Sequence, residues 1–273
     1  VKTALTIAGS DPTGGAGLQL DIKVFKHFGV YGLSAVSALT AQNTYEIKDI
    51  FSIDKRFMEK QLSILLSDIR PDAIKTGMLF STDVVKTVVK FIKGLDLQNV
   101  IIDPVTVSST GTTLLEEDAL KVLIEELFPL STVITPNIYE ASIISGINIL
   151  TEEDMEKAAI ELKKLGPENV IITGGHFREV RSQRTEDRKQ KTDNIGGDET
   201  LDLIYDGERF YRISGKRIRG EYHGTGCAYS AALTACIAKG LSLIESARKA
   251  KTFVEESIKN AYSIGKGMRL LHV

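Results

Sequence analysis

The chain has 273 residues, 42% of them hydrophobic, enough for one large core or two small ones. Its 34 Lys and Arg against 36 Asp and Glu leave a formal charge of -2, which argues against a nucleic-acid binder built on bulk positive charge. No stretch approaches the roughly 18 apolar residues of a membrane span and no N-terminal signal is visible, so a soluble, cytoplasmic protein is expected.

Short apolar runs alternate with longer amphipathic ones. Residues 4–9 (ALTIAG) read as a buried strand, and 18–28 as a helix with Leu18, Ile22, Phe25 and Phe28 at helical spacing. The glycine-rich stretch between them, GSDPTGGAGLQLD (9–21), is not a Walker loop, because no Gly-Lys-Ser/Thr follows. Nor is it the dinucleotide fingerprint, because Leu20 stands where the third glycine belongs. It is either a tight strand-to-helix turn or a loop whose backbone approaches a ligand, with Asp11 and Asp21 as polar contacts. A second strand, 32–41, runs into Gln42-Asn43. A Gln side chain offers a donor and an acceptor side by side, which suits an aminopyrimidine edge; a solvated loop amide explains it as well.

The alternation continues with a helix at 56–69, a strand at 72–77, a helix at 83–95, a strand at 99–105 and a helix at 116–127. A strand at 132–137, helices at 137–145 and 153–165, and a strand at 169–175 follow. Such a pattern predicts a parallel sheet with helices on both faces and a ligand site at the carboxyl ends of the strands. Those ends carry Gly9-Ser10-Asp11, Thr76-Gly77-Met78, Asp103-Pro104, Thr135-Pro136-Asn137 and Thr173-Gly174-Gly175. Residues 178–199 are dense in mixed charge and nearly free of apolar side chains, which predicts an exposed loop, with a lid as the functional alternative. A hairpin turning at Asp206-Gly207 and helices at 226–239 and 243–262 complete a single expected domain, 1–273.

Two helix starts carry candidate chemistry. Asn137 and Glu140 stand three apart in TPNIYEASII (135–144), so they share a face. They are either a helix cap or an amide and carboxylate that organise Mg²⁺, which takes few protein ligands. In EYHGTGCAYSAAL (221–233), Gly224, Thr225 and Gly226 leave backbone N–H groups free at a helix N-terminus, an arrangement that binds anions. The same field is expected to lower the pKa of Cys227 and favour thiolate, which would accept a proton from a substrate hydroxyl. Cys236, nine positions further on, reads as a core residue; about 13 Å of helix separates it from Cys227, too far for a disulfide.

TIAGSDPTGGAGLQLDIK, ALTAQNT, KTGML, VIIDPV, ITPNIYEA, GGH and HGTGC occur in this order between about residues 3 and 267. Together they resemble the hydroxymethylpyrimidine/phosphomethylpyrimidine kinases of thiamine biosynthesis, members of the ribokinase-like superfamily. The resemblance implies a three-layer α/β/α sandwich with a mostly parallel central sheet. It implies phosphorylation by MgATP of 4-amino-5-hydroxymethyl-2-methylpyrimidine and then of its monophosphate, in a homodimer, with K⁺ as a further candidate ion. Gln42, Asp21, Met78 and Val105 would line the pyrimidine pocket. Cys227 would be the catalytic base and Gly224, Thr225 and Gly226 the anion hole. Asp103 and Glu140 would stand near the metal, and Thr173, Gly175 and Asn137 near ATP. The chain departs from the family at Thr106 and Ser109, where Met and Lys are common, and at Thr173, where Lys is frequent. Pyridoxal kinase is the nearest alternative, and a catalytically idle pyrimidine-binding domain an alternative of another class.

Overall fold

The strands form where apolar side chains alternate between two faces that are both covered, as a sheet enclosed by helices requires. A computed structural model of the chain describes residues 1–108, 111–175 and 199–273. Nine strands make one sheet: β1 (Thr3–Ser10), β2 (Tyr31–Gln42), β3 (Ile47–Ser52), β4 (Ala73–Thr76), β5 (Val100–Ile102), β6 (Val133–Ile134), β7 (Val170–Ile172), β8 (Glu199–Tyr205) and β9 (Phe210–Lys216). Their order is β3-β2-β1-β4-β5-β6-β7-β8-β9. All pairings from β2 across to β7 are parallel. β3 joins β2, and the β8–β9 hairpin joins β7, antiparallel.

The two faces have separate cores. Leu5, Ile74, Ile102, Ile134, Ile172 and Leu203 point to one. Helices α2 (Lys55–Asp68), α3 (Thr82–Gly94), α5 (Ile138–Ser145) and α6 (Glu152–Lys164) cover it, as does α4 (Glu117–Val122), which continues into a wider turn over Leu123–Leu127. Ala4, Ala73, Ile101, Val133, Ile171 and Ile204 point to the other. There α1 (Gly17–His27), α7 (Thr225–Ala238) and α8 (Leu243–Lys259) pack. Each strand's single-residue step between the cores is the two-residue side-chain period of β structure. A short parallel pair, β10 (Tyr222–His223) with β11 (Arg269–Leu270), precedes α7.

The sequence-based spans agree with these elements to within a few residues, apart from strand ends cut shorter. The hairpin turns at Asp206-Gly207, where the Asp206 carboxylate accepts the Glu208 and Arg209 N–H groups. Strand β3 was not expected. Of the charged segment expected at 178–199, only Glu199, the first residue of β8, falls within the described residues, and Ser109 falls outside them too.

Candidate active site

Asp11 shapes the loop after β1. Its Oδ1 accepts the Thr13 N–H at 2.8 Å, and its Oδ2 the Ala16 N–H at 2.9 Å. The chain then enters α1 at Gly17 with φ 59°, so close to β1 that a methyl group there would overlap the Gly9 carbonyl oxygen. Across the cleft, α7 begins at Gly224 with φ 84°, where a methyl group would overlap the Gly15 carbonyl oxygen. Only glycines permit this backbone-to-backbone approach. The N-cap Gly224 supplies no side-chain acceptor, so the first N–H groups of α7 stay available, and Gly226 is exposed.

Cys227 lies where these two helix starts face each other. The Gly17 N–H and the Asp103 carboxylate lie close enough to its sulfur for both to act on its charge. Beneath it is a fully buried Lys75, whose Nζ lies 2.8 Å from both carboxylate oxygens of Asp21 and 3.9 Å from Asp103 Oδ2. Thr6 donates its hydroxyl to Asp21 at 2.6 Å, and Ser230 donates to Asp103 at 3.0 Å. Burial alone would lower the Lys75 pKa, but the Asp21 carboxylate, with Cys227 and Asp103, holds it well above its ordinary value. The expectation of a thiolate does not hold for the free protein. Burial pushes the Cys227 thiol up to about 12; Lys75 opposes that shift, and Asp103 and Asp21 add to it. Desolvation outweighs the field of the helix start.

Gln42, at the end of β2, is anchored rather than solvated. Its Nε2 lies 3.1 Å from His223 Nε2, which lies 2.8 Å from Asp11 Oδ2, and its Oε1 accepts the Thr40 hydroxyl at 3.1 Å. The Asp11 carboxyl, although burial would raise it, is held below its ordinary value by His223 and Thr13. Met78 and Val105 share a small apolar cluster with Ala38 and Leu114. Asp21 is fully enclosed and bound to Lys75, so its influence on a ligand passes through that lysine.

Asn137 and Glu140 form a complete capping box for α5: Asn137 Oδ1 accepts the Glu140 N–H, and Glu140 Oε2 accepts the Asn137 N–H, both at 3.0 Å. The box does not use up the carboxylate. Among the described residues, Glu140 Oε1 receives only a long contact from the Thr106 N–H, 3.4 Å, and the buried Thr106 hydroxyl has no partner. Burial first, then the charge of Asp103, push the Glu140 carboxyl up to about 8. Thr173 bridges to Asn137 and donates its N–H to Pro136 at 3.0 Å, and Gly175 is exposed beyond it. Asp103 is thus the link between the Cys227 side and the Glu140 side. Among the described residues there is no group of three or more His, Cys, Asp or Glu able to hold a metal.

Lys75, His223 and Ser230 were not singled out in the sequence. A lysine inside the apolar strand run DAIKTG is a signal of a buried partner, and His223 abuts the glycine motif. Ser230 has no such mark.

Residues 11–272 match the family model described as phosphomethylpyrimidine kinase. A hydroxymethylpyrimidine/phosphomethylpyrimidine kinase of Bacillus subtilis is 40% identical over 268 residues, covering 98% of this chain and 93% of that protein. Among solved structures, the ADP complex of Bacillus subtilis pyridoxal kinase is similar at a TM-score of 0.84 and 36% identity, covering 99% of this chain and 96% of that one. The phosphomethylpyrimidine kinase of Clostridium difficile 630 is similar at 0.78 and 34%, covering 94% and 100%.

Proposed function

Since the chain belongs to the phosphomethylpyrimidine kinase family, with its ribokinase-like α/β/α fold, we propose that residues 1–273 act as one kinase domain. It uses MgATP to phosphorylate 4-amino-5-hydroxymethyl-2-methylpyrimidine and then its monophosphate. The observation that carries this reading is the open start of α7, where a glycine N-cap leaves the first N–H groups without a side-chain cap beside a cysteine close to a buried carboxylate. Fixed donors aimed at a phosphoryl group in transfer stabilise its charge without reorganisation.

In this reading Gln42 reads the aminopyrimidine edge, held in place by His223 and Thr40, while Met78 and Val105 cover the ring. The neutral Cys227 thiol gives its proton to Asp103 as the substrate hydroxyl gives its own to sulfur. One proton therefore moves from substrate to carboxylate, and the sulfur ends as it began. The second acceptor is a phosphate monoester dianion, and a neutral thiol repels it less than a carboxylate would in the same place.

Thr173, Gly175 and Asn137 form the nucleotide edge. Asp103 and Glu140 fit Mg²⁺: both carboxyls are buried, the charge of Asp103 reaches Glu140, and among the described residues no cation offsets it there. When bound, the ion neutralises charge on the phosphate oxygens. Nothing in the site calls specifically for K⁺. A cytoplasmic location suits the free thiol of Cys227. A homodimer is consistent with the edge strand β3, where the partially exposed Leu39 of β2 sits opposite Phe51.

The solved pyridoxal kinases, similar at TM-scores of 0.84 and 0.86, favour pyridoxal as a second reading. A coupled assay with ATP and Mg²⁺, offering hydroxymethylpyrimidine, its monophosphate and pyridoxal in parallel, tests both. Turnover of the two pyrimidines is expected. Turnover of pyridoxal alone reverses the assignment of Gln42, and binding of pyrimidine without turnover identifies an idle domain.

A further inference from the structure

A buried ion pair lies apart from the Cys227 cluster. Asp202 on β8 is 1% exposed and Lys251 on α8 is 9% exposed. Lys251 Nζ lies 2.9 Å from Asp202 Oδ1, and the same oxygen accepts the Gly174 N–H at 3.0 Å. Among the described residues, Asp202 Oδ2 is buried without a hydrogen-bond partner, as is the hydroxyl of Tyr229, two residues past Cys227 on α7. Burial raises the Tyr229 hydroxyl far above its ordinary range, and the charge of Asp202 adds to the shift. The apolar side chains of Ile204, Ile213, Ala247 and Ala250 belong to the core on this face of the sheet.

Buried ion pairs contribute little to stability compared with apolar residues of the same volume. What Asp202 supplies, and a hydrocarbon cannot, is an acceptor for the Gly174 N–H. That peptide needs one. Gly174 is buried and lies so close to β8 that a methyl group on it would overlap the Leu201 carbonyl oxygen. Its neighbour Thr173 is fixed from the opposite side by Pro136. Thr173 and Gly174 are therefore held between the end of β6 and a charged acceptor, with Gly175 exposed beyond them, and Lys251 neutralises a carboxylate that would otherwise repel phosphates.

We propose that Asp202, held by Lys251, is a positioning residue for the nucleotide: by fixing the Gly174 peptide it sets the shape that Thr173 and Gly175 present to ATP. This rests on the reading of residues 173–175 as the nucleotide edge.

The test compares two variants of the full chain. Asp202→Leu combined with Lys251→Met removes the acceptor and both charges, so no charge is left unpaired. Asp202→Asn keeps a carbonyl acceptor for Gly174. In the double variant KM for ATP is expected to rise about tenfold, the size of one lost charge-assisted hydrogen bond, with kcat and the pyrimidine KM within about twofold. Asp202→Asn should stay within about threefold of wild type for ATP. An unchanged ATP KM in the folded double variant overturns the proposal. So does an equal loss in kcat and in pyrimidine affinity, which marks a purely structural role. Hydrogen exchange in the wild-type chain serves as a second arm should the double variant fail to fold. The Gly174 amide is expected to exchange far more slowly than that of Gly175, and equal rates overturn the proposal. A wild-type chain that consumes no ATP with any acceptor overturns the nucleotide reading and this proposal with it; turnover with an unmoved ATP KM counts against Asp202 alone.

Discussion

Helices α5 and α7 both start at the carboxyl edge of the sheet, and they treat their first turns in opposite ways. In α5 the side chains of Asn137 and Glu140 close on the backbone donors, so the helix start is complete without a ligand. In α7 the N-cap is a left-handed glycine with no side chain to offer, and the donors stay open. A capped start favours stability and an open one favours anion binding. The carboxyl groups follow the same division. Glu140 is committed on one oxygen to the cap, whereas Asp103 divides its contacts among Ser230, Lys75 and the Cys227 thiol.

The largest break in this comparison is at Cys227. Cys227→Ala should reduce kcat for either pyrimidine by about 10²–10⁴-fold, the usual worth of a positioned proton acceptor, while thermal unfolding shifts by only a few degrees. A variant that retains full activity removes the thiol from the reaction. Gly224→Ala attacks the open start itself. Its left-handed φ and the collision with Gly15 should cost about 2–3 kcal/mol in a denaturant titration, together with most of the activity.

Glu140→Gln sharpens the comparison through pH. The Glu140 carboxyl is raised from 4.5 to about 8, so the folded chain keeps a proton that the unfolded chain releases. Its contribution to stability is full below about pH 4.5 and is lost as pH rises toward about 8. Unfolding curves for wild type should show this decline more strongly than those for Glu140→Gln, in which Asp21 and Asp103, also raised by burial, still titrate; parallel profiles would mean that the Glu140 carboxyl titrates normally. Mg²⁺ binding to wild type, followed by calorimetry, should weaken as pH falls below about 8. The smallest effect is expected at Asn137. Asn137→Ala removes the cap and should cost about 1 kcal/mol of stability. A loss several times larger would mean that Asn137 supports more of the fold than the start of α5.

Much of this was legible in the sequence because the relevant signals are local. Alternating apolar runs gave the strands and helices, and Asn137 to Glu140 is a spacing that fits a cap whatever else it does. Strand β3 escaped because IKDIFS lies at the sheet edge with mixed exposure, so it lacks the apolar run that marks a buried strand. The protonation of Cys227 was misread for a different reason. The glycine motif announces the field of a helix start, but not the enclosure by Asp103, Asp21 and Lys75. Lys75 finds Asp21 54 residues away, and Ser230 finds Asp103 127 residues away. Pairings at such distances leave no periodicity to read.

The layout of the sheet has a consequence for synthesis on the ribosome. From β4 through β9 each new strand joins beside the one made before it, so the sheet grows outward in the order of translation. One face cannot finish that way. Its cover over β1 and β4 comes from α7, which packs against α1 and is made only after residue 224. A nascent chain stopped short of that point carries a nearly whole sheet whose second face is covered by α1 alone, and it lacks Cys227. The segment that completes that side also brings Cys227 beside Gly17, so closing the second core and assembling the candidate site are one event.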